Sequence, residues 1–389
     1  MNEQSFSPEV LLQPEPARMR VMSTPATVEL AITNRCNLRC LYCAHFGSAD
    51  DVGRDLPTEE WLEFFEELRE CAVLEACLCG GEPFMRDDLK ELVESIVRNR
   101  MRFSILSNGT LITDEMAAFL KSTRRCNYVQ VSIDGASPEP HDAARGKGNF
   151  QRAVEGLKSL QKHAVPVAVR VTIHKHNVHN LDEIAHLLLE DLGLPSFSTN
   201  SASYQGLCRL NAEDLQLNME ERSLAMETLL KLNLKYSGRI GASAGPLAEA
   251  RMWIEMERAR SGRQPTITEQ GCLLSCGGVF RKMGVRADGV MVPCSQMPHI
   301  ELGQINQVSL REAWQNHQEL QRMRDRRTIP LTDFQFCAGC EYIAYCTGSC
   351  PALAYTVTGQ ENHPNPQDCL KRFLEQGGRL PDEKLLGPF

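Results

Sequence analysis

The stretch "TVELAITNRCNLRCLYC", Thr27 to Cys43, runs from a strand-like segment straight into three cysteines, Cys36, Cys40 and Cys43. TVELAIT is rich in residues that suit a pleated surface. The segment that follows, "PTEEWLEFFEELREC", changes period. Thr58 suits an N-cap, Glu59 and Glu60 suit the first turn, and Trp61, Phe64, Phe65 and Leu68 form an apolar stripe. The same strand-then-helix order recurs about six times to Asn200. Strands are expected at 74–79, 103–107, 128–134, 165–173 and 196–200. Helices are expected at 88–99, after Thr113, around Phe150–Leu160 and at 182–191. Repeated β then α argues an α/β fold with a parallel sheet and helices outside. The strands read as near-continuous apolar runs, which suits strands covered on both faces. A doubly wound sheet and a barrel, complete or partial, both fit. In either, the loops after the strands' C-terminal ends build the site.

The chain has 389 residues, too many for one small core, so two or three domains are expected. Residues 1–25, with prolines at 8, 14, 16 and 25, read as an arm without the pattern of a signal peptide. Residues 26–215 form the alternating region and 216–265 a mostly helical connector. Residues 266–389 form a cysteine-rich α+β domain in which "GVRADGVMVPC" (284–294) reads as a hairpin turning at Asp288-Gly289. No apolar run is long enough to span a bilayer. The net charge of −8 gives no bulk attraction to nucleic acid or acidic membranes. Sixteen cysteines without a signal peptide point to reduced thiols, a cytoplasmic setting and metal.

Three thiolates on one loop can hold three irons of a 4Fe–4S cube and leave the fourth open for a ligand. Taken alone, the spacing also fits part of a zinc site with a distant fourth ligand. "CNLRCLYC" is Cys-x3-Cys-x-aromatic-Cys, and it resembles the signature of radical S-adenosylmethionine (SAM) enzymes. That resemblance implies a partial (β/α)6 TIM-like barrel and SAM held on the open iron. It also implies reductive cleavage to a 5′-deoxyadenosyl radical. "GGEP" (Gly80, Gly81, Glu82, Pro83) resembles the family segment that meets the SAM amino group, where a carboxylate suits an ammonium. Ser107 and Asn108 in "SNGT", and Ser132 and Asp134 in "SID", resemble the strand-end contacts to ribose and methionyl groups. Tyr42 fits the aromatic expected near adenine. Arg145 or Arg170 would bind the SAM carboxylate. "HKHNVH" (174–179) reads as a solvated loop or a polar contact near SAM.

The second cysteine field, with "CAGCEYIAYCTGSC", resembles the SPASM extension of radical SAM enzymes, which houses two auxiliary 4Fe–4S clusters. "ELGQI" and "SLREAW" resemble its run after the hairpin. By position, one cluster takes Cys272, Cys276, Cys294 and Cys350, and the other takes Cys337, Cys340, Cys346 and Cys369. Cys272 lies closer to Cys276 than the family pattern suggests; without it, the first auxiliary cluster has an open iron. Zinc knuckles are the structural alternative. Cys71, Cys77, Cys79, Cys126 and Cys208 remain, and buried reduced cysteine is an ordinary core residue.

Enzymes resembling this arrangement modify peptides or proteins. The chain, "FSTNSASYQGLC" especially, resembles maturases of SynChlorMet peptide-modification cassettes. The resemblance implies a thioether or carbon–carbon crosslink in a ribosomally made precursor peptide. It also implies a flavodoxin- or ferredoxin-type electron donor. With the cysteine loop starting at residue 36, a separate small leader-binding protein is expected. Formylglycine formation, as in sulfatase maturases, is the second reading. There an aspartate follows the hairpin cysteine, whereas here Ser295 does, and serine is a poor base. A non-enzymatic multi-cluster electron carrier is the third.

Overall fold

The computed structural model describes residues 21–47, 53–263, 267 and 270–387, so most of the arm lies outside the described residues. Its spine is one ten-stranded sheet. The strands are β1 (Thr27–Thr33), β2 (Glu75–Gly80), β3 (Arg102–Ser107), β4 (Cys126–Ser132), β5 (Val167–Ile173), β6 (Phe197–Ser201), β7 (Ile240–Ala242), β8 (Lys282–Val285), β9 (Val290–Val292) and β10 (Gly303–Gln304). The spatial order is β10-β9-β8-β1-β2-β3-β4-β5-β6-β7. Strands β1 to β7 run parallel in sequence order, the arrangement of a partial barrel. Strand β8 pairs parallel with β1, and β9 folds back antiparallel at Gly289, whose φ is +86°. The hairpin of the cysteine-rich region thus continues the sheet beyond β1.

The six expected strands form within a residue or two of their expected bounds. A seventh, β7, arises inside the segment expected to be a helical connector. Only three residues long, it carries too little pattern to stand out between the helices Met219–Lys235 and Pro246–Arg260.

The expectation of strands apolar on both faces needs correction. On the outer face Leu30, Ile32, Ala76, Leu78, Phe103, Ile105, Val129, Val131 and Val171 are fully buried against the helices. The Trp61, Phe64, Phe65 and Leu68 stripe of the helix Thr58–Glu70 is buried in the same core. Side chains alternate along a strand, so the other set faces inward. That set includes Ser132, Arg170 and Thr172, which line a cavity rather than a second helical layer. Thr58 is also not the N-cap: Pro57 holds that position, and the Thr58 hydroxyl donates to Asp88 Oδ2 at 2.5 Å. No helix among the described residues is long and apolar enough to cross a membrane.

Candidate active site

The cysteine loop is tied down from several sides. The Thr33 hydroxyl donates to Asp55 Oδ2 at 2.5 Å, and the Asn34 amide donates to Asp55 Oδ1 at 2.6 Å. The Leu41 amide donates to the Ala144 carbonyl at 2.9 Å, and the Cys43 carbonyl accepts from Leu207 at 2.9 Å. Held this way, the three thiolates repel one another. Burial, opposed by Arg145 and reinforced by Cys43 and Cys36, pushes Cys40 up to about 12. Burial likewise raises Cys36. Such a set is costly as thiolates until a cationic group arrives. Among the described residues no three Cys, His, Asp or Glu side chains converge tightly enough to clasp one metal ion. Three thiols on one loop are the donor type that an iron–sulfur cluster takes.

The three thiolates open on a cavity of about 780 Å³. Gly80 and Gly81 form part of its wall, and their lack of side chains is a steric need. A Cβ on Gly80 would lie 2.4 Å from the Thr33 carbonyl oxygen, and one on Gly81 2.2 Å from that of Arg35. The Gly81 and Glu82 amides donate to those carbonyls, each at 2.8 Å. The two loops are thus fused backbone to backbone.

Ser107, Asn108 and Ser132 line the cavity, as do Arg145 and Arg170. Glu82 and Asp134 lie behind the wall. The Glu82 carboxylate accepts from the Asn108 amide at 2.7 Å, the Ser107 hydroxyl at 2.9 Å and the Phe84 amide at 3.2 Å. It braces the loop, with Pro83 buried beside it. Asp134 accepts from Arg145 Nε at 2.5 Å, from the Thr172 amide at 2.7 Å and from the Tyr42 hydroxyl. Burial alone would raise the Asp134 carboxyl, but Arg145, His174 and His141 hold it below the usual range. Tyr42 stacks on His174 at 5.6 Å and lies under the Arg145 guanidinium. His174 is fully buried, unlike a solvated loop residue. Arg145 also points Nη1 at Cys40 Sγ, 3.9 Å away. Arg170 donates to Gln130 Oε1 at 3.1 Å and has no carboxylate partner among the described residues.

Glu82 has a consequence that can be measured. Burial outweighs its hydrogen bonds to Asn108, Ser107 and Phe84 and pushes its carboxyl up to about 7. The folded state therefore binds this proton more tightly than the unfolded chain. Stability from this group falls as pH rises from about 4.5 towards 7, by about 3 kcal/mol. Glu82→Gln should flatten that part of the stability curve in urea unfolding followed from pH 5 to 8. An unchanged slope would show Glu82 ionised throughout.

Cys276 and Cys350 line the same cavity. Burial pushes Cys294 up to about 12, with Glu29, Cys276 and Cys350 adding to it, so these three thiols stand together. The Cys272 backbone bridges to Pro330, and Asp333 is the charge that acts on its thiol. The other four converge. Burial pushes Cys337 up to about 12, with Cys346, Cys340 and Cys369 adding. Cys71, Cys77, Cys126 and Cys208 are buried, as expected of core thiols. Cys79 instead lines the cavity.

Sequence reasoning also passed over Ser243 and Gly245, which follow β7, and Glu249 of the helix Pro246–Arg260. A second cavity of about 770 Å³ shares Ala44, His45, Cys79, Gln205 and Gln296 with the first. Ser295 lies there, its hydroxyl donating to Glu29 Oε2 at 3.2 Å.

Residues 30–188 match the model of the radical SAM superfamily, and residues 276–341 match that of the SPASM iron–sulfur cluster-binding domain. Among curated proteins, the chain is 26% identical to the AdoMet-dependent heme synthase of Methanosarcina barkeri, over 90% of this chain and 97% of that protein. It is 29% identical to the Fe-coproporphyrin III synthase of the same organism, over 84% of each chain. Among solved structures, Streptococcus suis SuiB bound to its precursor peptide SuiA aligns with a TM-score of 0.67 and 14% identity, covering 90% of this chain and 76% of SuiB. Native anSMEcpe with bound AdoMet aligns with a TM-score of 0.64 and 16% identity, covering 90% and 96%. At these identities the structural likeness speaks for the fold. The chain carries a radical SAM domain and, C-terminal to it, a SPASM domain.

Proposed function

We propose that this chain is a radical SAM maturase that forms a thioether or carbon–carbon crosslink in a ribosomally made peptide. Cys36, Cys40 and Cys43 hold the SAM-binding 4Fe–4S cluster. Cys276, Cys294 and Cys350 hold a first auxiliary cluster, and Cys337, Cys340, Cys346 and Cys369 a second. Cys272, whose backbone bridges to Pro330 and whose thiol feels the Asp333 charge, is left out of this set. When bound, cluster and SAM supply an electron and a 5′-deoxyadenosyl radical able to abstract hydrogen.

The chain's own residues position the reactants. Gly80 and Gly81 let a ligand approach their backbone, and Ser107, Asn108 and Ser132 offer hydroxyl and amide contacts. Arg170, with no carboxylate partner, meets the SAM carboxylate, while Arg145 is committed to Asp134. The observation that carries the reading is the shared cavity, whose walls include Cys36, Cys40 and Cys43 together with Cys276 and Cys350. A substrate between them can lose a hydrogen atom on one face and pass an electron on from the other. A flavodoxin- or ferredoxin-type protein supplies the first electron, and a separate leader-binding protein presents the peptide.

The two Methanosarcina relatives favour a second reading, an iron porphyrin as substrate. Formylglycine formation is disfavoured because Ser295 donates to Glu29 and offers no base of its own. The reconstituted enzyme with SAM and dithionite should convert a precursor peptide encoded beside it, with loss of two hydrogens per crosslink by mass spectrometry. Conversion of Fe-coproporphyrin III, with the peptide unchanged, would select the porphyrin reading.

A further inference from the structure

Arg326 is fully buried, yet its Nε and Nη2 have no hydrogen-bond partner among the described residues. Only Nη1 is engaged, donating to the Leu274 carbonyl. A guanidinium has five N–H donors and stays charged, so leaving it buried and unpartnered is costly. The local chain nevertheless fixes it there. The Ser275 hydroxyl donates to the Arg324 carbonyl at 2.7 Å, and the Arg327 amide donates to Ser275 Oγ at 3.0 Å. The Ile329 amide closes the turn on the Arg326 carbonyl at 2.9 Å. Residues 324–329 are thus laced to the loop that leads into Cys276. The thiolates of Cys350 and Cys276 are the charges that most favour the Arg326 cation, ahead of Glu361.

We propose that the free N–H groups of Arg326 face the iron–sulfur group held by Cys276, Cys294 and Cys350, and that Arg326 sets its reduction potential. This rests on the assignment of a cluster to that trio. Hydrogen bonds to cluster sulfurs and net local charge are the protein's main levers on potential. A cluster that gains an electron gains negative charge, so a fixed cation beside it stabilises the reduced form. It also disperses the repulsion among the three thiolates. Arg326 is a positioning residue in this role. It makes the first auxiliary cluster the better electron acceptor, as expected of the cluster whose ligands line the substrate cavity.

The test uses the full-length, cluster-loaded protein with Cys40→Ala added, so that only the auxiliary clusters are observed. In Arg326→Gln, one midpoint potential should fall while the other stays. A charged hydrogen bond is worth enough to lower that cluster's reduction equilibrium roughly tenfold, about 59 mV for one electron. Arg326→Lys, which keeps the charge, should fall less. Unchanged midpoints in a cluster-filled Arg326→Gln protein would overturn the inference. If Arg326→Gln does not retain the cluster, protein labelled with 15N-arginine and otherwise carrying only Cys40→Ala decides. Hyperfine coupling from arginine nitrogen to one auxiliary cluster supports the proposal, and its absence overturns it. Cys294→Ala reports separately on the underlying assignment. If it leaves the iron content unchanged, no cluster sits on the trio, and both the assignment and the inference fall.

Discussion

Cys40→Ala should abolish SAM cleavage, with 5′-deoxyadenosine formation falling by more than about 100-fold. Changing a group one step removed from a metal commonly costs 10–100-fold, and losing a ligand costs more. The size of the effect follows from the loop's construction. Cys40 is the thiol beside the Arg145 guanidinium; burial, reinforced by Cys43 and Cys36, holds it up to about 12 against the opposing Arg145 charge. Cys79 lies across the wall on β2, and Cys208 is buried in a small apolar cluster with Ala144 and Leu215. Iron content should fall by one cluster while the auxiliary clusters remain, because their ligands come from residues 276 to 369. A variant that keeps full turnover would show that the N-terminal trio does not hold the catalytic group.

Arg145→Met should destabilise the fold by about 3–5 kcal/mol, the cost of leaving a buried charge without its partner. Asp134 is fully buried, and Arg145 is the strongest charge opposing the burial penalty on its carboxyl. Without Arg145, the Asp134 carboxyl should titrate at higher pH. Stability contributed by its lowered value is present above the unfolded pKa and is lost as pH falls through the folded one. The variant should therefore lose less stability than the parent on acidification. The double variant Arg145→Met with Asp134→Asn should recover part of the loss, since no buried charge is then stranded. Thermal unfolding of the single and double variants measures this. Equal stability of Arg145→Met and the parent would show that the pair carries no weight. Cluster loading should drop as well, since Arg145 also faces Cys40 and covers the Tyr42 ring.

The alternation of strand and helix was legible from residue 27 to 201 because each apolar stripe is local in sequence. The three-cysteine loop, the Gly-Gly-Glu-Pro segment and the strand-end polar residues were legible for the same reason. What was hidden depends on direction and on distant partners. Glu82 reads as a ligand because a carboxylate suits an ammonium, yet the strand end turns it inward to cap the amides of Phe84 and Asn108. Asp134 reads as a contact to SAM, yet a partner eleven residues on claims it. Strand β7 is stabilised by pairing with β6 across the long helix Met219–Lys235, not by its own three residues. Arg326 carries no motif and is visible only through what its buried nitrogens lack.

Cys36, Cys40 and Cys43 should hold an incompletely ligated 4Fe–4S cluster that delivers an electron to SAM. Protein reconstituted without oxygen, given SAM and dithionite and assayed for 5′-deoxyadenosine, tests this directly. Release is expected from the parent and none from Cys40→Ala. Metal analysis finding zinc on the N-terminal trio, or a filled iron site that leaves SAM intact, would contradict it.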